Sequence, residues 1–338
     1  MREAILKGRS LPKAYIHMGL PKTGTTAIQY ALRDHGPLLQ KHGLFHPETP
    51  FSNAAALVAL FHPKGSGHFF ITRKGYTEAQ VTQIKEDFHT QVTQSTTDIV
   101  VSSEYLYNLG HHAGRVADYF ASAGFEPVFI FYIRHPVDLA VSAAQQSVKM
   151  GSKSLDALIE NPHWSRIRSS IEPLQKAGLT VCVRNYGDMK NRNVIDDFIS
   201  LLGHEELAGQ LPVKRSNEGL TMDGVLLADI YKKNQDAKQP KPFNKYAIFN
   251  VGGSRFTLPE SAKEIVREQS RDEVAWVEQT FGIQLQETGH ADKFRWELTK
   301  TAQLIMKAHA SPVLNHAPEG WLDSMKRLLR ARLKIERL

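Results

Sequence analysis

The chain has 338 residues, 41% of them apolar and 23% charged, with a formal net charge of +7. This is an ordinary globular composition, and the length suffices to bury the core of one large α/β domain or two modest ones. No apolar run approaches the ~20 residues that cross a bilayer, and a lone cysteine, Cys182, excludes an internal disulfide. The opening MREAILKGRSLPKA lacks the apolar core of a signal peptide, so a soluble, intracellular protein is expected.

In chain order the pattern predicts a strand over 14–19, a Gly/Pro-broken loop, and a helix over 25–35 with apolar Ala27, Ile28, Ala31 and Leu32. A loop-rich insert that also carries helix is expected over about 36–76. A helix over 77–94, a strand over 98–102, a helix over 112–123 closed by Gly124 and a strand over 127–133 come next. The last of these, PVFIFYI, is a continuous apolar run suited to a parallel strand buried on both faces. A helix over 136–149 follows, then LTVCVRNY at 179–186 as another core strand, where Cys182 reads as a small buried hydrophobe. A helix over 194–202, capped by Gly203, comes after it. The polar Lys/Pro stretch 232–245 is expected to be a mobile loop over or beside an acceptor cleft. Strands alternating with helices predict a three-layer α/β sandwich around a central parallel sheet, with binding loops at the carboxyl ends of the strands.

The chemistry concentrates in AYIHMGLPKTGTTAIQ, residues 14–29. A helix starting at Thr25 turns its first N–H groups outward without intrahelical acceptors, and the helix dipole adds partial positive charge there, so an anion fits. Lys22 adds a full charge, Gly24 allows close backbone approach, and Thr25 and Thr26 offer hydroxyls. A Walker A loop places its Lys directly after the second Gly, whereas Lys22 precedes Gly24 by two residues. A second element follows the apolar strand at 127–133: Arg134 and Ser142 are eight residues apart, so an Arg at a strand end can meet a Ser two turns into the next helix around one anion.

The order G-x-P-K-T-G-T-T at 19–26 resembles the 5′-phosphosulfate loop of sulfotransferases that use 3′-phosphoadenosine 5′-phosphosulfate (PAPS). The spacing R-x-P-x-x-x-x-x-S at 134–142 resembles the element with which that family holds the 3′-phosphate. RFTLPESAKEIVREQSRDEVAWVEQTFGIQL, from Arg255 to Leu285, is more loosely similar to the C-terminal part of bacterial carbohydrate-type members. The resemblance covers about 12–287 and implies a P-loop-NTPase-like fold, with 288–338 as a helical extension. It implies that Pro21, Lys22, Thr23, Gly24, Thr25 and Thr26 hold the 5′-phosphate and that Lys22 neutralises the leaving side. Arg134 and Ser142 would hold the 3′-phosphate, and Arg255 would supply a late basic contact, although the family's Arg-Lys-Gly triplet is absent. The implied activity is sulfuryl transfer from PAPS to a hydroxyl on a carbohydrate or glycolipid, releasing adenosine 3′,5′-bisphosphate, without a required metal. A bacterial-type cytoplasmic enzyme is the matching expectation.

For the base that receives the acceptor proton, Glu104 is the first candidate because it follows the strand over 98–102 at its carboxyl end. His17 is the second, and capping or ion pairing is the structural alternative for Glu104. The fifteen histidines form no metal-ligand pattern, no G-x-S-x-G elbow exists, and no nucleic-acid-binding signature is visible. Residues 321–338 supply +4 of the +7 in a basic amphipathic pattern. They would either dock on the domain with a solvated basic face or touch an anionic membrane or glycan. Two other function classes remain open at this level: a P-loop kinase, and a non-catalytic binder of anionic glycan or lipid.

Overall fold

The computed structural model describes residues 11–48, 53–107, 109–213, 219–233, 251–288, 293–300 and 302–304. The strands are β1 (Lys13–Met18), β2 (Leu44–Phe45), β3 (Asp98–Ser103), β4 (Glu126–Ile133) and β5 (Thr180–Asn185). The helices are α1 (Thr25–Asp34), α2 (Gly36–Lys41), α3 (Asn53–Phe61), α4 (Phe69–Lys74), α5 (Glu78–Gln94), α6 (Gly114–Ser122), α7 (Pro136–Lys149), α8 (Leu155–Glu160), α9 (Arg168–Lys176), α10 (Val194–Leu201), α11 (Met222–Lys233) and α12 (Glu260–Phe281). The chain divides into two compact units. The first holds Met1–Ala144, Glu160–Glu218 and Glu260–Ala291, and the second Gln145–Ile159, Gly219–Pro259 and Asp292–Leu338. The second unit thus draws on two internal segments as well as the C-terminal region, where the sequence suggested one domain with an appended extension. The basic stretch 321–338 and most of 232–245 lie outside the described residues.

In the first unit all five strands are parallel, in the order β2-β3-β1-β4-β5. Alternate residues of each strand face opposite helical layers, as the two-residue period of a strand requires. Ile16, Met18, Ile99, Val101, Phe129, Phe131 and Ile133 pack with α3, α5, α6, α9 and α12. Tyr15, Val100, Val128, Ile130 and Tyr132 pack with α1, α2 and α10. This is the three-layer α/β sandwich with a central parallel sheet expected from the sequence. Helix boundaries also match closely, and Gly124 and Gly203 end their helices in the left-handed conformation with φ of 90° and 86°.

The insert carries the helical content expected of it among its loops. It carries α2, the edge strand β2, α3 and α4. NAAALVALF in α3 is apolar nearly all round, and such a helix forms when it can be buried on several sides; Ala56, Leu57, Val58 and Phe61 all enter the core. Helices α8 and α9 also fill a stretch for which the sequence suggested no element. The second unit is organised around α11. There Asp223, fully buried, pairs with Arg295 at 2.9 Å and accepts from the Thr299 N–H and hydroxyl at 3.1 and 2.9 Å. Asp229 accepts from the Leu155 N–H at 2.7 Å.

Two buried histidines brace β3. His46 Nδ1 lies 2.8 Å from the Val100 carbonyl, which can only accept, so Nδ1 carries the proton. His17, on β1, places Nδ1 2.8 Å from Ser102 Oγ and packs its ring against Tyr132 and Phe198 at 5.9 and 5.3 Å. Burial lowers His17 to about 3 and His46 to about 4, the latter partly offset by the carbonyl bond. Both are therefore neutral in the folded chain at neutral pH, while in the unfolded chain each titrates near 6.5. Below pH 6.5 the unfolded state binds protons that the folded state refuses, so stability falls with pH down to about 4, where His46 begins to titrate, and for His17 down to about 3. The loss approaches about 1.4 kcal/mol per pH unit for each residue. Urea unfolding at pH 6.5, 5.5 and 4.5 should show a shallower decline in a His17→Asn/His46→Asn variant than in the native chain; equal slopes would contradict the assignment.

Candidate functional site

The strand order fixes where a ligand can sit. From β1 the chain leaves toward β2 through α1, and from β4 it leaves toward β5 through α7, in the opposite direction along the sheet. The crevice outside the carboxyl ends of β1 and β4 is therefore the topological switch point, where open α/β sheets bind their ligands. The Gly19–Thr26 loop follows β1 and Arg134 follows β4, so both sequence motifs arrive at this crevice.

The loop is shaped by three backbone constraints. The Gly19 N–H donates to the Ser103 carbonyl at 3.1 Å, tying the loop to the end of β3. A Cβ on Gly19 would lie 2.3 Å from Thr25 Cγ2 and 2.6 Å from its Oγ1, so only glycine lets the loop close on the helix start. Lys22 and Gly24 both take left-handed backbone, with φ of 65° and 80°. For the lysine this costs about 1–2 kcal/mol, a strain that persists only where the surroundings impose it.

Gly24 is the N-cap of α1 and supplies no side-chain cap. Its carbonyl accepts from the N–H groups of Ala27 and Ile28 at 2.9 and 3.2 Å, so the Thr25 and Thr26 amides precede the first intrahelical bond and face the loop's concavity. The hydroxyls divide differently from expectation. Thr23 and Thr25 are buried and donate to the Leu20 carbonyl at 2.7 and 3.3 Å, so they brace the loop from inside, while Thr26 is exposed. The loop's other donors are backbone amides, the Thr26 hydroxyl and the Lys22 ammonium; Pro21 and Lys22 are both half-buried.

On the β4 side, Arg134 Nε lies 3.7 Å from Asp138 in the first turn of α7, and its guanidinium sits 5.7 Å from the Tyr186 ring centre. Asp138 is held in turn by the Thr288 N–H and hydroxyl at 3.1 and 2.6 Å. Ser142 is half-buried one turn beyond Asp138, and the described contacts of Arg134 are to Asp138 and Tyr186 rather than to Ser142. Tyr186 is the residue that the motif search missed. A Cβ on Gly24 would lie 3.1 Å from Tyr186 Cε2 and 3.0 Å from Val194, so the ring beneath Arg134 also forms one wall of the phosphate loop.

That wall is rigid. Asp197, in α10, accepts from the Tyr132 hydroxyl at 2.6 Å, Arg184 at 2.7 Å and the Lys190 N–H at 3.0 Å. Burial pushes its proton affinity up, but these donors outweigh it and hold the carboxyl below the usual range. The network clamps the start of α10, and with it Val194, to the ends of β4 and β5.

Glu104 stands just past β3 and reaches solvent, although the protein packed around it raises its proton affinity. Lys22 acts on it in the opposite direction, which sets this carboxylate within electrostatic range of the loop lysine. His17 is fully buried, and its Nε2 has no partner among the described residues. It faces Tyr132 and Phe198 rather than solvent, so it lacks the access that a base for an incoming hydroxyl requires. Arg255 belongs to the second unit, where it is exposed and forms an isolated antiparallel bridge with Thr221. No group of His, Cys, Asp and Glu among the described residues could hold a metal ion.

No protein-family model matches the chain, and no curated protein matches it. A solved structure from a study of the PezAT chromosomal toxin–antitoxin system of Streptococcus pneumoniae is similar over 69% of this chain and 91% of its own, at 9% identity and a TM-score of 0.31. A likeness that slight carries no functional argument.

The contact between Gly19 and Thr25 yields a direct test. Gly19→Ala should destabilise the protein by about 1–3 kcal/mol through overpacking. Thr25→Ala removes the two nearer opposing atoms and leaves only the Thr25 Cβ at 3.0 Å, so the double variant should recover at least 1 kcal/mol relative to the sum of the single changes, the size of coupling typical of residues in contact. Additive losses in chemical denaturation would refute the packing described.

Proposed function

We propose that this protein is a PAPS-dependent sulfotransferase that moves a sulfuryl group to a hydroxyl of a carbohydrate or glycolipid. The observation that carries the reading is the convergence at one crevice of an uncapped helix start, with Lys22 in its loop, and Arg134 above the Tyr186 ring that walls the same loop. Two separated anion positions suit a ligand with phosphates at both the 5′ and 3′ positions of one nucleoside. The order of Lys22 and Gly24 differs from that of an ATP-binding Walker loop, which favours sulfuryl over phosphoryl transfer. A P-loop kinase is the competing reading, and it would need Mg²⁺ and ATP.

In this reading the acceptor oxygen attacks sulfur as the bond from sulfur to the 5′-phosphate oxygen breaks. The acceptor proton passes to Glu104, and adenosine 3′,5′-bisphosphate leaves with the bridging electron pair. Charge grows on the leaving phosphate, where Lys22 and the amides of Thr25 and Thr26 are already oriented, so little reorganisation accompanies the step. Arg134 supports the 3′-phosphate, with Asp138 and Tyr186 fixing its direction. Glu104 suits the base role because its raised proton affinity brings it closer to neutral pH, where general bases work best. No helix among the described residues is long and apolar enough to cross a membrane. The reading includes a bacterial cytoplasmic location, with contact to an anionic membrane through 321–338 as its finer part.

Turnover of labelled PAPS against fractionated cell-envelope glycans, in chelator without divalent metal, should yield labelled sulfated product. Lys22→Ala should lower that turnover by about 10²-fold or more, the scale for losing one preorganised electrostatic contact. Product formation only with ATP and Mg²⁺ would favour the kinase instead. Glu104→Gln keeps the shape and removes the basicity, so it should leave binding of adenosine 3′,5′-bisphosphate intact while cutting turnover about 10²–10⁴-fold, the range for general-base loss. Unchanged turnover would assign Glu104 to the structural alternative.

A further inference from the structure

Soon after α12 ends, the chain returns to α7, the helix that follows Arg134. This short strap is pinned along its length. Leu285 is buried in the core of the first unit, and Ile283 packs against that core partly exposed. Arg267, on α12, grips both oxygens of Glu287, from Nε at 3.0 Å and from Nη2 at 3.2 Å, and its Nη1 donates to Glu260 and Glu264 at 2.6 and 2.8 Å. A bidentate clamp of this kind fixes geometry as well as adding energy. The residue it delivers is Thr288, whose N–H and hydroxyl reach Asp138 Oδ2 at 3.1 and 2.6 Å. The same oxygen faces Arg134 Nε at 3.7 Å, beyond hydrogen-bond length. Thr288 and Arg134 therefore address one carboxylate oxygen, and Thr288 is the one bonded to it. The Asp138 side chain is only 8% exposed, so water has little access to satisfy it in place of Thr288.

We propose that Thr288 is a positioning residue that sets how strongly this protein selects a nucleotide carrying a 3′-phosphate. The inference rests on the sulfotransferase reading and adds to it a residue that touches no part of the ligand. With Oδ2 occupied by Thr288, Asp138 aims the guanidinium by its charge without closing a hydrogen bond on it, so the donors of Arg134 stay available to a phosphate. Without the Thr288 hydroxyl, a nearly buried carboxylate lacks its shortest bond and closes on Arg134, because charge-assisted hydrogen bonds are the strong ones. A 3′-phosphate would then have to displace Asp138 before it could bind. The 5′-phosphate, held by the loop after β1, would be unaffected.

The test is binding rather than turnover, so it does not depend on finding the natural acceptor. Calorimetric titration of the full-length protein with adenosine 3′,5′-bisphosphate and with adenosine 5′-monophosphate, at one ionic strength, isolates the advantage conferred by the 3′-phosphate. The native protein should bind the bisphosphate at least about tenfold more tightly, the scale of one hydrogen bond to a charged group. Thr288→Val keeps the side-chain shape and the backbone N–H but removes the hydroxyl. It should cut the advantage by about threefold or more, a fraction of such a bond, with the monophosphate affinity unchanged. Thr288→Ser restores the hydroxyl and should restore the advantage. A Thr288→Val protein that keeps the full advantage while Arg134→Ala loses it would overturn the role of Thr288 and leave the donor-side reading standing. Equal weakening of both nucleotides in Thr288→Val would overturn it as well, since that is the mark of a purely structural residue. A native protein that binds the two nucleotides equally would remove the donor-side reading itself, and the role of Thr288 with it.

Discussion

Everything proposed for this protein depends on one tight turn, the passage from β1 into α1. Gly19 touches Thr25 where no Cβ fits, and Lys22 and Gly24 are both held in left-handed backbone. Together these constraints bend the chain sharply enough to leave the first amides of α1 facing the strand ends rather than a side-chain cap. The strain at Lys22 is sustained by its surroundings: the Gly19 bond to β3, the buried Thr23 and Thr25 hydroxyls on the Leu20 carbonyl, and the Tyr186–Val194 wall against Gly24. A loop braced from inside in this way is preorganised, and preorganised donors are what stabilise charge developing in a transition state.

The electrostatics are arranged in layers around that turn. Beneath it His17 is kept neutral by burial, so it adds no positive charge to that of Lys22 and the helix start. To one side Asp197 is held ionised by Tyr132, Arg184 and Lys190, and it serves to lock α10 in place. Arg134 is partly neutralised by Asp138, whose carboxylate is itself anchored by Thr288. An arginine tethered in this way loses some attraction for a phosphate but retains less freedom, so less entropy is lost when it engages a ligand. On the other side, Glu104 follows the end of β3 within electrostatic range of Lys22.

Much of this was legible in the sequence, because parallel-sheet strands carry continuous apolar runs and the phosphate loop carries glycines where the backbone requires them. PVFIFYI became β4, and G-x-P-K-T-G-T-T became the turn at the switch point. What escaped was long-range. Tyr186 reads as the last residue of a strand, and only the fold brings its ring against Gly24 and under Arg134. The hydroxyls of Thr23 and Thr25 look identical to that of Thr26 in sequence, yet the first two turn inward to Leu20. Helix α3 was hidden because an apolar segment without a polar face has no helical period to detect, and His17 lost its candidacy as a base because adjacency along a strand says nothing about access.

The central claim is that one crevice holds two phosphates of a single nucleotide. A crystal structure of the protein with adenosine 3′,5′-bisphosphate tests it most directly. The account predicts the 5′-phosphate within hydrogen-bond distance of the Thr25 and Thr26 amides and of Lys22, and the 3′-phosphate on Arg134. A nucleotide bound elsewhere, or bound with Arg134 still directed only at Asp138 and no phosphate beside it, would contradict the account.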